Sequence, residues 1–117
     1  MDFKRSLPRV GCSISCKIFH ENREFIDGFV ADVSADGLSF SPSSGDLPED
    51  FDWGAKYLIK IDMHNFSDIG QTIELVAEPK WKRGMIVGFK IDTIDMPNFK
   101  RWWFLIYTLF FPKKNKN

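Results

Sequence analysis

The chain has 117 residues, of which 44% are hydrophobic and 27% are charged. This length suits one domain with a buried core, and the composition excludes wholesale disorder. Sixteen basic and sixteen acidic side chains cancel, which argues against a non-specific DNA or RNA binder, because such proteins present a broad basic surface.

Alternating apolar and polar residues predict strands along most of the chain. The first covers residues 10–19, and a second covers residues 25–33 with Phe25, Phe29, Ala31 and Val33 assigned to one face. The turn signal Asp36-Gly37 leads into a third strand at residues 38–40. Three more strands are predicted over residues 56–63, 71–79 and 80–92. About six antiparallel strands with hairpin spacing indicate a closed barrel or a small sandwich over residues 10–94.

The end of the chain predicts a helix over residues 95–111. Asp95 occupies an N-cap position and Pro97 falls in the first turn. One apolar stripe of this helix would cover the open end of the barrel; it comprises Phe99, Trp102, Trp103, Ile106 and Phe110. That contact alone would account for the helix. The alternative is a second surface for a homodimer or a protein partner, formed by Phe104, Leu105, Tyr107 and Phe111.

The groups that enzymes use are poorly represented. His20 and His64 lie in predicted turns, away from ligands at metal-binding spacing. Cys12 and Cys16 lie four residues apart on one strand, about 13 Å along it, which is too far for a disulfide. No phosphate-binding glycine loop precedes a helix. We therefore expect no enzymatic activity, no metal site and no cofactor.

Localisation follows from what the chain lacks. The N-terminus has no apolar core of the kind found in signal peptides, and the longest apolar run, residues 102–111, is too short to cross a bilayer. Two free cysteines on one strand are typical of a reducing compartment. We expect a cytoplasmic protein without a transmembrane segment.

Two short motifs remain. Arg5 and Arg9 are four residues apart, and arginine presents paired donors that match phosphate oxygens or the O6/N7 edge of guanine. In the second motif, Asp32 would place a carboxylate beside Ser34 at the barrel mouth, where it can accept two adjacent N–H donors such as the N1/N2 edge of guanine. Gly37 fits a position with positive φ. The alternatives are a basic tail and an ordinary hairpin turn in which Ser34 bonds the local backbone.

An RxxxR motif followed by DxSxxG, in a β-rich domain closed by a helix, resembles the PilZ domain family of bacterial cyclic di-GMP receptors. The segment EPKWKRGMIVGFKI is similar to the late hairpin of that family. The resemblance covers nearly the whole chain and implies a mainly β fold, a six-stranded antiparallel barrel with a C-terminal helix. The implied parts are a ligand-binding arm (1–9), the barrel (10–94), the helix (95–111) and a basic tail (112–117).

The resemblance also implies the residues of the binding site. They are Arg5, Arg9, Asp32, Ser34 and Gly37, with Lys4 and Gly88 as further candidate contacts. The arginines would bind phosphates and guanine edges of cyclic di-GMP. The acid and the serine would contact a guanine and its neighbouring phosphate, and Gly37 would shape the turn. Lys4 is included among the candidate contacts because, in this family, the residue before the first arginine influences whether one or two ligand molecules bind.

The function predicted in this way is that of a bacterial signalling adaptor. It would bind cyclic di-GMP and relay that binding, by a conformational change, to an unidentified protein partner. One alternative is the same fold acting as a protein interaction module through its helix without binding the nucleotide. Another is an oligonucleotide-binding barrel, which would need aromatic and basic side chains interleaved on one face; here the aromatic residues mostly keep core parity.

Overall fold

Six antiparallel strands close into a barrel in the computed structural model of the chain, which describes residues 9–66 and 70–111. The strands are β1 (Val10–His20), β2 (Arg23–Ser34), β3 (Gly37–Pro42), β4 (Tyr57–Ile61), β5 (Ile73–Arg83) and β6 (Ile86–Thr93), and they precede helix α1 (Met96–Phe110). The order around the barrel is β1-β2-β3-β6-β5-β4, and β4 pairs back with β1. The predicted six-stranded barrel with a C-terminal helix is confirmed, and the sandwich is excluded.

Strand β2 does not keep one alternation along its length. Phe29 is 45% exposed, whereas Ile26, Val30 and Val33 are buried, so the prediction that placed Phe29 and Val33 on one face is wrong. An irregularity in the pairing with β3 lies between Val30 and Asp32. The extra residue there reverses the alternation and returns Val33 to the core. The alternation of buried and exposed residues in β2 therefore shifts by one residue immediately beside Asp32.

Strand β5 is longer than predicted because it continues through Pro79. The sequence suggested a break at this proline, but β5 runs to Arg83 and the hairpin turn lies at Gly84, whose φ is +61°. The pairing of β5 with β6 shifts between Pro79 and Trp81. Such an irregularity accommodates a residue that has no N–H to donate. Trp81 consequently belongs to β5 and faces β6.

Helix α1 begins where the sequence predicted. The Asp95 carboxylate accepts a hydrogen bond from the Asn98 backbone N–H at 3.0 Å, and Pro97 lies in the first turn. The buried residues are Trp102, Leu105 and Ile106, whereas Trp103 is 54% exposed. The predicted stripe is therefore wrong for Phe99, Trp103 and Phe110, which are exposed, and Leu105, which was assigned to the outer surface, is fully buried. Within residues 9–66 and 70–111, no helix has the length and apolarity needed to span a membrane.

Candidate functional site

Arg9 and Asp32, which come from the two predicted motifs, meet at the rim of the barrel. Arg9 directly precedes β1, and Gly11 of β1 pairs with Asp32 of β2. The Arg9 Nη1 group donates a hydrogen bond to Asp32 Oδ1 at 2.6 Å. The two side chains are 21% and 30% exposed, so a ligand at the rim has access to both.

Ser39 of β3 joins this pair, although the sequence analysis did not single it out. Its side chain is fully buried, and its hydroxyl donates to Asp32 Oδ1 at 2.9 Å. The Arg9 Nη1 atom lies 3.4 Å from the same hydroxyl oxygen. A signal for Ser39 exists in the hairpin itself. A two-residue turn between Ser34 and Gly37 fixes the register that pairs Asp32 with Ser39.

Ser34 faces its own turn. It is 2% exposed, and its hydroxyl lies 3.1 Å from Asp36 Oδ1 and 3.4 Å from the Gly37 carbonyl oxygen. These contacts are those of the ordinary hairpin turn that the sequence left open as an alternative. The structure brings Ser34 close to the rim but presents its hydroxyl to the turn.

Gly37 lines the site, but for a different reason from the one predicted. The glycines with positive φ within residues 9–66 and 70–111 are Gly45, Gly70 and Gly84, so the prediction of positive φ at Gly37 is wrong. A Cβ atom at Gly37 would instead collide with the carbonyl oxygen of Phe89 on β6. Glycine is needed here because β3 and β6 approach each other closely.

Trp81 forms a flat wall beside the Arg9–Asp32 pair. A Cβ atom at Gly88 of β6 would overlap the indole ring, so Trp81 packs directly on the backbone of that glycine. The guanidinium groups of Arg9 and Arg83 lie 5.9 Å and 5.2 Å from the ring centroid. Both distances are typical of cation–π contacts. Gly88 thus leaves the space in which the tryptophan ring packs.

A pocket lies beside the Arg9–Asp32 pair and is lined by Arg9 but not by Asp32. Its lining residues are Arg9, Asp36, Gly37, Lys80, Trp81, Phe89 and Lys90. Three cations therefore surround an aromatic face, and Lys80 also pairs with Glu78 at 2.9 Å. This combination suits an anionic ligand that carries a planar ring, because phosphate oxygens match the cations and a base can stack on indole.

The sequence matches the family described as PilZ domain over residues 3–106. The chain belongs to the PilZ domain family. A search of curated proteins finds no match.

Solved structures of PilZ domains share the fold. The PilZ domain of YcgR from Escherichia coli with c-di-GMP superposes with a TM-score of 0.70 at 11% identity, over 92% of each chain. The PilZ domain of CeSA from a cellulose-synthesizing bacterium gives 0.66 at 13% identity, over 87% of this chain and 97% of that one. The inhibitor of motility MotI/DgrA from Bacillus subtilis gives 0.67 at 15% identity; the match covers 96% of this chain and 54% of MotI.

The remaining predicted residues of this PilZ domain fall into two groups. Lys4 and Arg5 lie outside the described residues. On α1, Phe104, Tyr107 and Phe111 are exposed as predicted for an outer surface. The PilZ rim is thus described for one of the two arginines of the RxxxR motif and for the whole DxSxxG segment.

The cysteines of the PilZ barrel are free and poorly reactive. Burial raises the pKa of the Cys12 thiol to about 11, with a further contribution from the charge of Asp32. Burial also raises the pKa of the Cys16 thiol to about 12. Both remain protonated near neutral pH, and thiols are much weaker nucleophiles and metal ligands than thiolates. Among the residues that the structure describes, no three His, Cys, Asp or Glu side chains are grouped to hold a metal ion.

Proposed function

We propose that this PilZ domain is a receptor for cyclic di-GMP that relays ligand binding to a protein partner. The observation that carries the proposal is the contact between Arg9 and Asp32 beside the half-buried ring of Trp81. Two motifs that are 23 residues apart contribute one guanine-matching cation and one guanine-matching carboxylate to a single rim. The family match and the ligand named for the YcgR structure support the same conclusion.

Each group at the rim has a role that its chemistry suits. The Arg9 guanidinium binds a phosphate or the O6/N7 edge of a guanine. Asp32 accepts the N1–H and N2–H donors that guanine offers and adenine lacks. Trp81 stacks on a base, and Lys80 and Lys90 neutralise phosphate charge. Arg5, Lys4 and Ser34 stay predicted contacts that follow from the family motifs.

Binding of the nucleotide exchanges one set of contacts for another. Without the ligand, Asp32 is held by Arg9 and Ser39. A guanine that bonds to Asp32 replaces the Arg9 donor, and Arg9 moves to the ligand. Because Arg9 directly precedes β1, this movement repositions the start of the chain. We propose that the new position of this segment is what the protein partner recognises.

Isothermal titration of the protein with cyclic di-GMP tests the proposal. We expect saturable heat with a micromolar dissociation constant, which corresponds to about 8 kcal/mol. The Arg9→Ala variant should bind at least fivefold more weakly, since a bidentate contact to guanine contributes about 1–3 kcal/mol. Cyclic di-AMP should bind more weakly than cyclic di-GMP because it lacks the paired donors that match Asp32.

Arg23→Ala is the matched control, because Arg23 is an exposed arginine of β2 at the end of the strand away from Asp32. It should bind as the wild type does. Absence of saturable heat with folded protein would overturn the proposal, and so would an Arg9→Ala variant that binds unchanged.

The alternative is a PilZ domain that does not bind the nucleotide. It is favoured by one observation: Asp32 Oδ1 already accepts two hydrogen bonds from the protein itself, and Ser34 is turned into its hairpin. With both donors in place the Asp32 carboxylate needs no ligand for its own hydrogen bonding, although the Arg9 Nε group is buried without a partner. The same titration distinguishes the two functions, because only the receptor releases heat that depends on Arg9.

A further inference from the structure

One side of α1 is covered with large apolar side chains that face solvent. We define the outer face by Met96, Phe99, Trp103, Tyr107, Phe110 and Phe111. Spacings of three and four residues place them along one stripe of the helix, with Phe104 at its edge. Trp103, Tyr107 and Phe111 are 54%, 59% and 66% exposed.

The outer face is not needed to close the barrel. The opposite side of α1 does that, because Trp102, Leu105 and Ile106 are buried in the core cluster with the strands. A cap for the barrel requires only this inner stripe. Exposed apolar surface of such extent is typical of interaction sites.

Basic residues accompany the outer face. Lys100 is exposed on α1, and Arg101 follows it. Three lysines, Lys113, Lys114 and Lys116, follow within six residues of the end of the helix. From residue 96 to residue 117 the sequence contains no Asp or Glu. The apolar stripe is therefore combined with five positive charges and no negative charge along the same segment.

These charges decide which occupant fits. In a homodimer through this face, a two-fold interface would pair this segment with itself, and residues 96–117 offer no carboxylate to the cations of the other copy. An anionic bilayer surface instead attracts every one of these charges. The kinds of aromatic residue on the outer face support the same occupant, because Trp and Tyr concentrate at the membrane–water boundary. Helices that combine basic residues with a Trp- or Phe-rich face lie in the plane of that boundary.

We propose that the outer face of α1 docks the protein on the surface of a bilayer that contains anionic phospholipid. The lysines of the predicted basic tail (112–117) lie outside the described residues, and they enter the proposal only through the positive charge of the sequence. The helix lies in the plane of the interface, and its aromatic side chains enter the boundary between headgroups and acyl chains. This contact requires no insertion across the bilayer. It does not depend on nucleotide binding at the barrel rim, which involves other residues.

Co-sedimentation of the full chain with lipid vesicles tests the proposal in the absence of nucleotide. Vesicles of phosphatidylcholine with 30 mol% phosphatidylglycerol are compared with vesicles of phosphatidylcholine alone. We expect binding to the anionic vesicles, several-fold weaker binding to the neutral ones, and a loss of this difference at high salt. Trp103→Ala should lower the partition coefficient about tenfold, and Lys113→Gln with Lys114→Gln should lower it about fivefold for each lysine.

Matched controls separate this face from non-specific adhesion. Trp53 is exposed to a similar extent, 43%, but lies outside α1, so Trp53→Ala should bind vesicles as the wild type does. The pair Lys56→Gln and Lys82→Gln changes the net charge as the tail variant does, and it should bind normally. Circular dichroism and thermal unfolding confirm that each variant is folded.

Three results would overturn the proposal. One is an absence of binding to anionic vesicles. Another is binding that Trp103→Ala and Trp53→Ala reduce equally. The third is a dimer in sedimentation equilibrium that Trp103→Ala dissociates, because the outer face would then belong to a second copy of the chain.

Discussion

At the residue scale, Asp32 is held in place before any ligand arrives. Its carboxylate accepts hydrogen bonds from Arg9 and from the buried Ser39 hydroxyl. Charge-assisted bonds of this kind orient a carboxylate firmly, and an unpaired half-buried carboxylate would be costly. A ligand must therefore replace the donor that Arg9 withdraws. A guanine edge supplies two N–H donors, whereas a phosphate alone supplies none, so the proposed receptor should select a ligand with both groups.

Substitution of Gly88 tests how the Trp81 ring packs against β6. In Gly88→Ala the new methyl group would overlap the indole ring, so the ring must leave its place. We expect the free energy of unfolding to fall by about 2 kcal/mol, which is typical of overpacking. Affinity for cyclic di-GMP should fall as well, since the stacking face moves. Urea unfolding and titration measure the two effects.

A double-mutant cycle identifies the cause. In a Trp81→Ala background the clash is absent, so Gly88→Ala should cost much less than in the wild type. The control Gly54→Ala places a Cβ atom at an ordinary 3.4 Å from Asp52 Oδ1, and its effect should stay within about 0.5 kcal/mol. Equal costs of Gly88→Ala in both backgrounds would contradict this explanation.

The sequence predicted the residues of the candidate site only where they belong to a recognisable motif. Arg9 and Asp32 were found because their types and order form recognisable patterns. Ser39 was missed because a buried serine in a strand has no signature of its own, and its role follows only from the pairing of β2 with β3. Gly37 was identified for the wrong reason, since the approach of the Phe89 carbonyl depends on β6, far away in sequence.

At the element scale, the start of α1 depends on Asp95. Asp95→Ala should lower the melting temperature by about 5 °C, because an N-cap bond to Asn98 is lost. Asp95→Asn should retain most of the stability, since asparagine caps helices well. Thermal unfolding followed by circular dichroism measures both variants. An unchanged melting temperature for Asp95→Ala would contradict this role.

The same residue predicts a pH dependence. Hydrogen bonds from the backbone and side chain of Asn98 lower the pKa of the Asp95 carboxyl below its usual value. A carboxyl whose pKa is lower in the folded state stabilises the fold above about pH 4. That contribution is lost as the pH falls through the lowered pKa. The difference in melting temperature between the wild type and Asp95→Ala should therefore shrink at acidic pH, and an equal difference at pH 3 and pH 7 would be contrary evidence.

The periodicity of apolar residues predicted the buried face of some elements correctly and of others incorrectly. The alternation in β1 is regular and was predicted correctly, with Ile14, Cys16 and Ile18 buried. In β2 the pairing irregularity changes the alternation and no local signal marks it, whereas in β5 the irregularity lies beside Pro79, which the sequence analysis took as the end of a strand. In α1, apolar residues occur on almost every side. Two stripes therefore satisfy the helical spacing, and packing on the barrel selects the one that contains Trp102 and Leu105.

At the scale of the whole molecule, the rim and the first turn of α1 lie toward opposite ends of β5. The backbone N–H of Glu74, near the start of β5, donates to the Asn98 side chain of α1, whereas Trp81 lies near the end of the strand. The seven intervening steps correspond to about 23 Å of strand. Because the net charge of the chain is zero, each surface would attract its ligand through its own charged groups and not through the overall charge of the protein. Nucleotide binding and membrane docking should therefore be separable by single substitutions.

Ligand-dependent thermal unfolding measures this separation. A ligand at one hundred times its dissociation constant stabilises the folded state by about 2.7 kcal/mol, which is about 10 °C for a domain of this size. We expect this rise with cyclic di-GMP in the wild type and in Trp103→Ala, and a clearly smaller rise in Arg9→Ala at the same ligand concentration. Vesicle binding should show the reverse pattern, with a lower partition coefficient in Trp103→Ala and an unchanged one in Arg9→Ala. If either variant lost both activities while folded, the rim and the outer face would be one coupled surface, because independent sites respond to substitution independently.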